Sequence, residues 1–175
     1  IAKKYGWDCT GIEISESGVR SAKESDIKVI EESFDDYQTQ ERFDSITFWG
    51  VLEHVVNPYE QVLKAFFLLK KGGVIIFEVP SADSLLMQFV IKHNLVPYRF
   101  IESARHLTFF SKKSLKYLCE KVGAKIDYIE SNGLDIQTIL LDDLNPTINK
   151  KVMNMQQLID MNLLSDHYRI FLRKI

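Results

Sequence analysis

Glu53 and His54 stand together in the stretch FDSITFWGVLEHVVNP, residues 43–58. His54 can face a bound substrate or hold its own turn by hydrogen bonds. His106, in Arg105-His106-Leu107-Thr108-Phe109-Phe110, can orient or deprotonate a substrate hydroxyl. It can equally cap the next helix or satisfy buried carbonyls. Glu13, in Thr10-Gly11-Ile12-Glu13-Ile14, can accept two hydrogen bonds from a ribose diol, or stay a solvated acid at the start of a helix. Phe34, after Ser33, offers a ring that stacks on a base or fills the core. In Trp49-Gly50-Val51 the glycine lets a ligand approach bare backbone. There is no Ser-His-Asp order, metal-ligand spacing or GxxxxGK[ST] phosphate loop. Cys9 and Cys119 lie far apart without CxxC spacing. No metal site and no disulfide framework is therefore expected.

The elements that must position these groups are legible from periodicity. Residues 7–14 read as a strand, and Ser15 or Ser17 can cap a helix with Val19 and Ala22 inward. A short strand follows at 27–30, then a polar loop at 34–42, then an apolar strand at 44–49. Asn57-Pro58 opens a helix whose Val62, Leu63, Phe66, Phe67 and Leu69 recur at helical spacing. Lys70-Lys71 would complement its C-terminus and Gly72-Gly73 would end it. Residues 74–79 form a strand stopped by Pro80. The segment 82–110 is irregular, and its Leu85, Leu86, Phe89, Tyr98 and Phe100 suit either an apolar lid or ordinary core. Ser111 opens a helix with Leu115, Leu118, Cys119 and Val122 inward and Gly123 past its end. Residues 124–130 and 136–141 read as an antiparallel pair. The tail, 146–175, reads as a helix followed by a strand or short helix. Strands alternating with helices, then two strands together, predict an α/β fold: a doubly wound, mainly parallel sheet with an antiparallel edge. In such sheets polar groups at strand ends line the ligand edge.

Ile1 to Gly6 reads as the last turn of a helix, so the sheet is expected to lack its first strand and helix. Residues 1–144 are expected to form one domain, with 145–175 an extension packed on it. At 175 residues, 46% apolar and 26% charged, the chain is an ordinary globular one, and a net charge of −2 gives no electrostatic case for nucleic acid. No apolar run approaches the roughly 20 residues of a membrane span, and no signal peptide is visible. A cytoplasmic protein without stable membrane insertion is expected.

The blocks GIEIS (11–15), FDSITFWGVLEHVVNP (43–58), LLKKGGVIIFEVPS (68–81) and RHLTFFSKKSLKYLCEKVGAK (105–125) stand in a specific order and spacing. Together they resemble class I S-adenosylmethionine-dependent methyltransferases, and within them the ubiquinone-biosynthesis O-methyltransferases and methyltransferases of surface-polysaccharide clusters. The resemblance implies a Rossmann-like sheet and S-adenosylmethionine as cofactor, with S-adenosylhomocysteine as product. It implies that Glu13 holds the ribose, Ile14 lines the adenine, and Ser33 and Phe34 contact it from the next loop. Trp49, Gly50 and Val51 would border the methionine portion and the methyl group. His54, Pro80 and His106 would line the acceptor side, with His106 the candidate catalytic base. The partner implied is a small-molecule acceptor, such as a saccharide or a lipid or quinone precursor; a homodimer is compatible. Two departures stand out. The family's glycine-rich first motif would precede Ile1, and Ser33 occupies a position where many relatives carry Asp. The alternatives are a nicotinamide-dependent oxidoreductase, since Glu13 suits any ribose, and a catalytically inactive binding domain of the same fold.

Overall fold

The computed structural model of the chain describes residues 1–94, 105–133, 136 and 146–175, and the side chains of these except at 146–153. It divides into two units, residues 1–41 and residues 42–175.

In the first unit a 3₁₀ turn, Ala2–Tyr5, ends on Gly6 in the left-handed region, as its sequence predicts. Strand β1, Thr10–Ile12, pairs in parallel with β2, Lys28–Ile30, and helix α1, Glu16–Glu24, crosses between them. The ladder matches Thr10 with Lys28 and Ile12 with Ile30. β1 is shorter than the strand expected over 7–14 because β2 offers only three residues to pair with. Ser15, not Ser17, caps α1, its side chain accepting from Gly18 N–H.

The second unit is built on a four-stranded sheet in the order β3-β4-β6-β5. β3 is Phe43–Trp49, β4 Leu69–Pro80, β5 Lys125–Asn132 and β6 His167–Arg173. β3 and β4 are parallel, whereas β6 runs antiparallel to both β4 and β5. Ile75, Phe77 and Val79 of β4 and Tyr168, Ile170 and Leu172 of β6 are fully buried on one face. Each such side chain contributes about 1.5–3 kcal/mol of burial. The alternate residues, including Ile76, Glu78, Arg169 and Phe171, are half-buried on the other face. Helices α2 (Pro58–Leu68), α3 (Leu85–Lys92), α4 (Lys112–Val122) and α5 (Pro146–Met161) complete the unit.

Two local expectations are corrected, and one open alternative is decided. Helix α2 stops at Leu68, and the buried Leu69 is already extended, starting β4. Lys70 and Lys71 therefore do not complement the helix end. Lys174 does so from the C-terminal tail, its Nζ donating to Phe66 O and Leu69 O at 2.9 Å each. Lys70 Nζ instead meets Asp44 Oδ2 at 2.8 Å. The Lys70–Gly73 turn survives as an interruption of the β3/β4 ladder, where Phe43 pairs with Leu69 but Ser45 with Val74. Second, the antiparallel partner of β5 is β6. Of the strand expected at 136–141, Ile136 is helical, and 137–141 lie outside the described residues. Third, Leu86 belongs to a core cluster with Val90 and Phe109, and Leu85 packs against Ile136 and Ile159, so both are core. Tyr98 and Phe100, named with them for a lid or core, lie outside the described residues.

Ser111 caps α4 with a reciprocal box: its Oγ accepts from Ser114 N–H and Ser114 Oγ accepts from Ser111 N–H. Ser111→Ala removes one half of this exchange. We expect a loss of about 1 kcal/mol in unfolding free energy by urea titration, with an unchanged m-value. Burial pushes the Cys119 thiol up to about 12, which makes it an inert core residue. No helix among the described residues is long and apolar enough to cross a membrane.

Candidate functional site

In the first unit, the parallel strands aim their C-terminal ends at Glu13 and at the 31–36 loop. Glu13 N–H continues the ladder by donating to Ile30 O at 3.1 Å. Its side chain folds back on the start of α1, where Oε1 accepts from Ile14 N–H at 2.9 Å and Ser15 N–H at 2.8 Å. These hydrogen bonds, the Ser15 backbone amide foremost, hold the carboxyl below the usual range. A Cβ at Gly18 would lie 2.8 Å from Glu13 Cγ and Cδ, so the glycine makes room for the acid. Both readings of Glu13 thus converge on one geometry: an ionised acid, fixed at a helix start. Ile14 is largely exposed beside it. Ser33 Oγ donates to Asp36 Oδ2 at 2.6 Å and accepts from Asp36 N–H at 3.1 Å, closing a local turn. The Phe34 ring stacks near Tyr37, with centroids 6.5 Å apart.

In the second unit, β3 ends at Trp49, and Gly50 adopts φ 62°. That conformation is strained for residues bearing a Cβ. An added Cβ would meet only Glu53 Oε1, at 3.9 Å, so the backbone here is open to close approach. Val51 is at the surface, and its carbonyl accepts from His54 N–H at 3.0 Å, tightening the turn. This turn carries Glu53 inward, where it is 4% exposed. Its backbone carbonyl accepts from Leu107 N–H at 2.7 Å and Thr108 N–H at 3.2 Å, fastening the 105–110 segment to the turn. His54 Nδ1 lies 2.6 Å from Arg105 O. The His54 and His106 rings sit 4.9 Å apart, and His106 meets Phe109 edge-on at 5.9 Å. Ligand atoms of Glu53, His54 and His106 all lie within 4.8 Å of one another. Glu53 Oε1 is 3.8 Å from His54 Nε2, and Glu53 Oε2 is buried with no hydrogen-bond partner among the described residues. A buried carboxylate oxygen without a donor is costly. Pro80 is buried at the end of β4, its carbonyl accepting from Phe110 N–H at 3.2 Å.

The structure therefore brings His54 and His106 together and adds Glu53. Sequence reading placed Glu53 in the turn but gave it no role. The adjacent Glu-His pair and a distant His were visible; that 52 residues of chain fold back to join them was not. Two further polar groups were missed because they lie on β6 or immediately before it. Arg169 spans the sheet between Glu78 and Glu130, and the buried Asp166 Oδ1 lies 2.7 Å from His167 Nδ1.

Residues 1–129 match the model of a family described as a methyltransferase domain. The chain belongs to that family. No curated protein matches the sequence. Among solved structures, the methyltransferase domain is similar to a SAM-dependent methyltransferase of Thermotoga maritima, described as a possible histamine N-methyltransferase. The TM-score is 0.65 at 18% identity, over 95% of this chain and 72% of that one. A SAM-dependent methyltransferase from Archaeoglobus fulgidus gives 0.60 at 20% identity, over 98% and 78%. The cyclopropane synthase MmaA2 of Mycobacterium tuberculosis gives 0.60 at 14%, over 94% and 69%. At these identities the likeness is one of fold. The expected α/β, Rossmann-like class with its antiparallel edge is the class observed.

Proposed function

We propose that this methyltransferase domain carries out S-adenosylmethionine-dependent methyl transfer to a small-molecule acceptor. The observation that carries the reading is the convergence of Glu53, His54 and His106 from two separated segments, beside the open backbone at Gly50. The donor's residues fit it: Glu13 is ionised and fixed for a ribose diol, and Gly50 leaves space that a Cβ would invade. S-adenosylmethionine supplies a methyl group already activated on a sulfonium sulfur. Glu13 binds the ribose, Ile14, Ser33 and Phe34 border the adenine, and Trp49, Gly50 and Val51 border the methionine end. His54, Pro80 and His106 face the acceptor. His106 orients the acceptor heteroatom and takes its proton as the methyl bond forms, while the buried Glu53 steadies the imidazoles. Alignment is worth about 7–11 kcal/mol in favourable cases, and the base a further factor of roughly 10²–10⁴. A saccharide or a quinone or lipid precursor is the acceptor class we favour.

The test has two steps. Calorimetry of the full-length protein with S-adenosylhomocysteine and with NADH separates a methyltransferase from an oxidoreductase. Metabolite extract from cells lacking the gene is then incubated with the protein and methyl-labelled donor, and labelled products are sought by mass spectrometry. A folded protein that binds S-adenosylhomocysteine yet labels nothing fits the inactive binding domain.

The orphaned Glu53 Oε2 favours a second reading of the same cluster. Glu53, His54 and His106 are an oxygen and two imidazoles, a set that suits a small divalent cation with open positions for an acceptor hydroxyl. Titration with Mn²⁺, followed by the loss of its free electron-paramagnetic signal, is expected to show one site per chain, absent in Glu53→Gln. Equal uptake by both proteins would leave the proton-accepting role alone.

A further inference from the structure

Trp49, Glu78, Arg169 and Glu130 lie directly opposite one another across all four strands of the second unit's sheet. They share one face, and Arg169 links them. Its Nε and Nη2 donate to Glu78 Oε2 at 3.1 and 2.6 Å, and its Nη1 donates to Glu130 Oε1 at 2.8 Å. The guanidinium carbon lies 5.2 Å from the Trp49 ring centroid. Two carboxylates on flanking strands thus fix the plane of the guanidinium, and the guanidinium covers the indole. Trp49 is 52% exposed. As the last residue of β3, it immediately precedes the left-handed Gly50 and the turn that carries Glu53 and His54.

We propose that Arg169 is a positioning residue for the methyl-transfer site. It acts through Trp49, holding the indole at one angle so that the ring and the Gly50 turn form a preset wall for the donor's methionine end. The proposal rests on the function proposed above. The donor set explains why arginine is needed. A planar fork can donate to two carboxylates and lie over a ring at once, whereas a lysine ammonium is a point charge that keeps the charge balance without the plane. Three guanidinium nitrogens are already committed to Glu78 and Glu130, so Arg169 orients the wall rather than gripping a substrate itself. The row also explains how a strand 120 residues downstream bears on the end of β3.

The experiment uses the full-length protein carrying Trp7→Phe, which leaves Trp49 as the reporter in this chain. Its tryptophan anisotropy and S-adenosylhomocysteine affinity are compared with those of Arg169→Lys, and of a triple variant, Arg169→Met with Glu78→Gln and Glu130→Gln. The triple variant removes the clamp without leaving two unpaired carboxylates, so it preserves folding if charge balance is all the sheet needs. We expect both variants to lower tryptophan anisotropy and to weaken S-adenosylhomocysteine binding about tenfold, with the triple variant melting within a few degrees of its parent. Unchanged anisotropy, or affinity within twofold in Arg169→Lys, overturns the proposal, because charge alone then suffices. Restored affinity in the triple variant also overturns it. A parent that shows no binding removes the methyltransferase reading, and the positioning role with it.

Discussion

Glu53→Leu is expected to raise the melting temperature in the presence of a chelator and to abolish methyl transfer. The carboxylate is 4% exposed, its Oε2 lacks a donor among the described residues, and its nearest counter-group, His54 Nε2, is 3.8 Å away. Burying such a group costs several kcal/mol unless it is paired, and an apolar replacement of similar volume commonly gains about 1–4 kcal/mol. For a chain of this size each kcal/mol moves the midpoint by about 2–4 °C. A rise of roughly 2–16 °C is therefore expected by calorimetry. Labelling of the acceptor in metabolite extract should fall by at least about a hundredfold. Opposite signs on the two readouts identify a residue retained for chemistry against the interest of the fold. A fall in melting temperature would show Glu53 to be a structural anchor and would remove it from the site.

Glu13→Ala is expected to weaken S-adenosylhomocysteine binding by about two to four orders of magnitude while barely moving the melting temperature. A charged acceptor's hydrogen bonds are worth about 1.5–3 kcal/mol each, and a ribose diol offers two. The stability term is small because the acid sits at the surface. What is lost there is its local bonding to the Ile14 and Ser15 amides and its charge at the start of α1. The pH dependence follows from the lowered carboxyl. A group whose folded value lies below its unfolded one contributes fully above the unfolded value, near 4.5. Its contribution is lost only as pH falls through the depressed value. Binding of the product should therefore be flat from pH 8 to about 5 as far as this acid is concerned. Full affinity in Glu13→Ala would show that the ribose is held by groups other than this acid. Loss of affinity together with a large drop in melting temperature would leave the acid a helix-capping group.

Much of the fold could be read because it is specified locally. The Ser15 and Ser111 caps, Asn57-Pro58 at the start of α2 and Gly123 after α4 are short-range hydrogen-bonding devices, and each is where the pattern put it. Helix α2 stops three residues short of the expected Lys71 because its competitor is tertiary: Leu69 is buried in the sheet and pairs with Phe43. The partner of β5 was misjudged for the same reason. Residues 136–141 are near in sequence, but the hydrogen bonds come from 167–173, and no turn chemistry announces a return over that distance. Of the site, single residues were legible and their mutual geometry was not. His54 and His106 stood out by type. Glu53 was hidden by looking like any acid in a polar turn until burial gave it meaning. Arg169 sits in a strand whose alternation reads equally well as plain β-structure.

The place of β6 has a consequence for how the molecule comes into being. It fills the gap between β4 and β5, and Lys174 closes the exposed carbonyls at the end of α2. During vectorial synthesis β4 and β5 thus emerge with open edges and wait for a strand about a hundred and about forty residues further on, respectively. Pairings of such separation close slowly, and open edges invite foreign strands. Nascent chains stalled before residue 167 should therefore recruit holdases far more than chains stalled beyond residue 174, once both strands are clear of the exit tunnel.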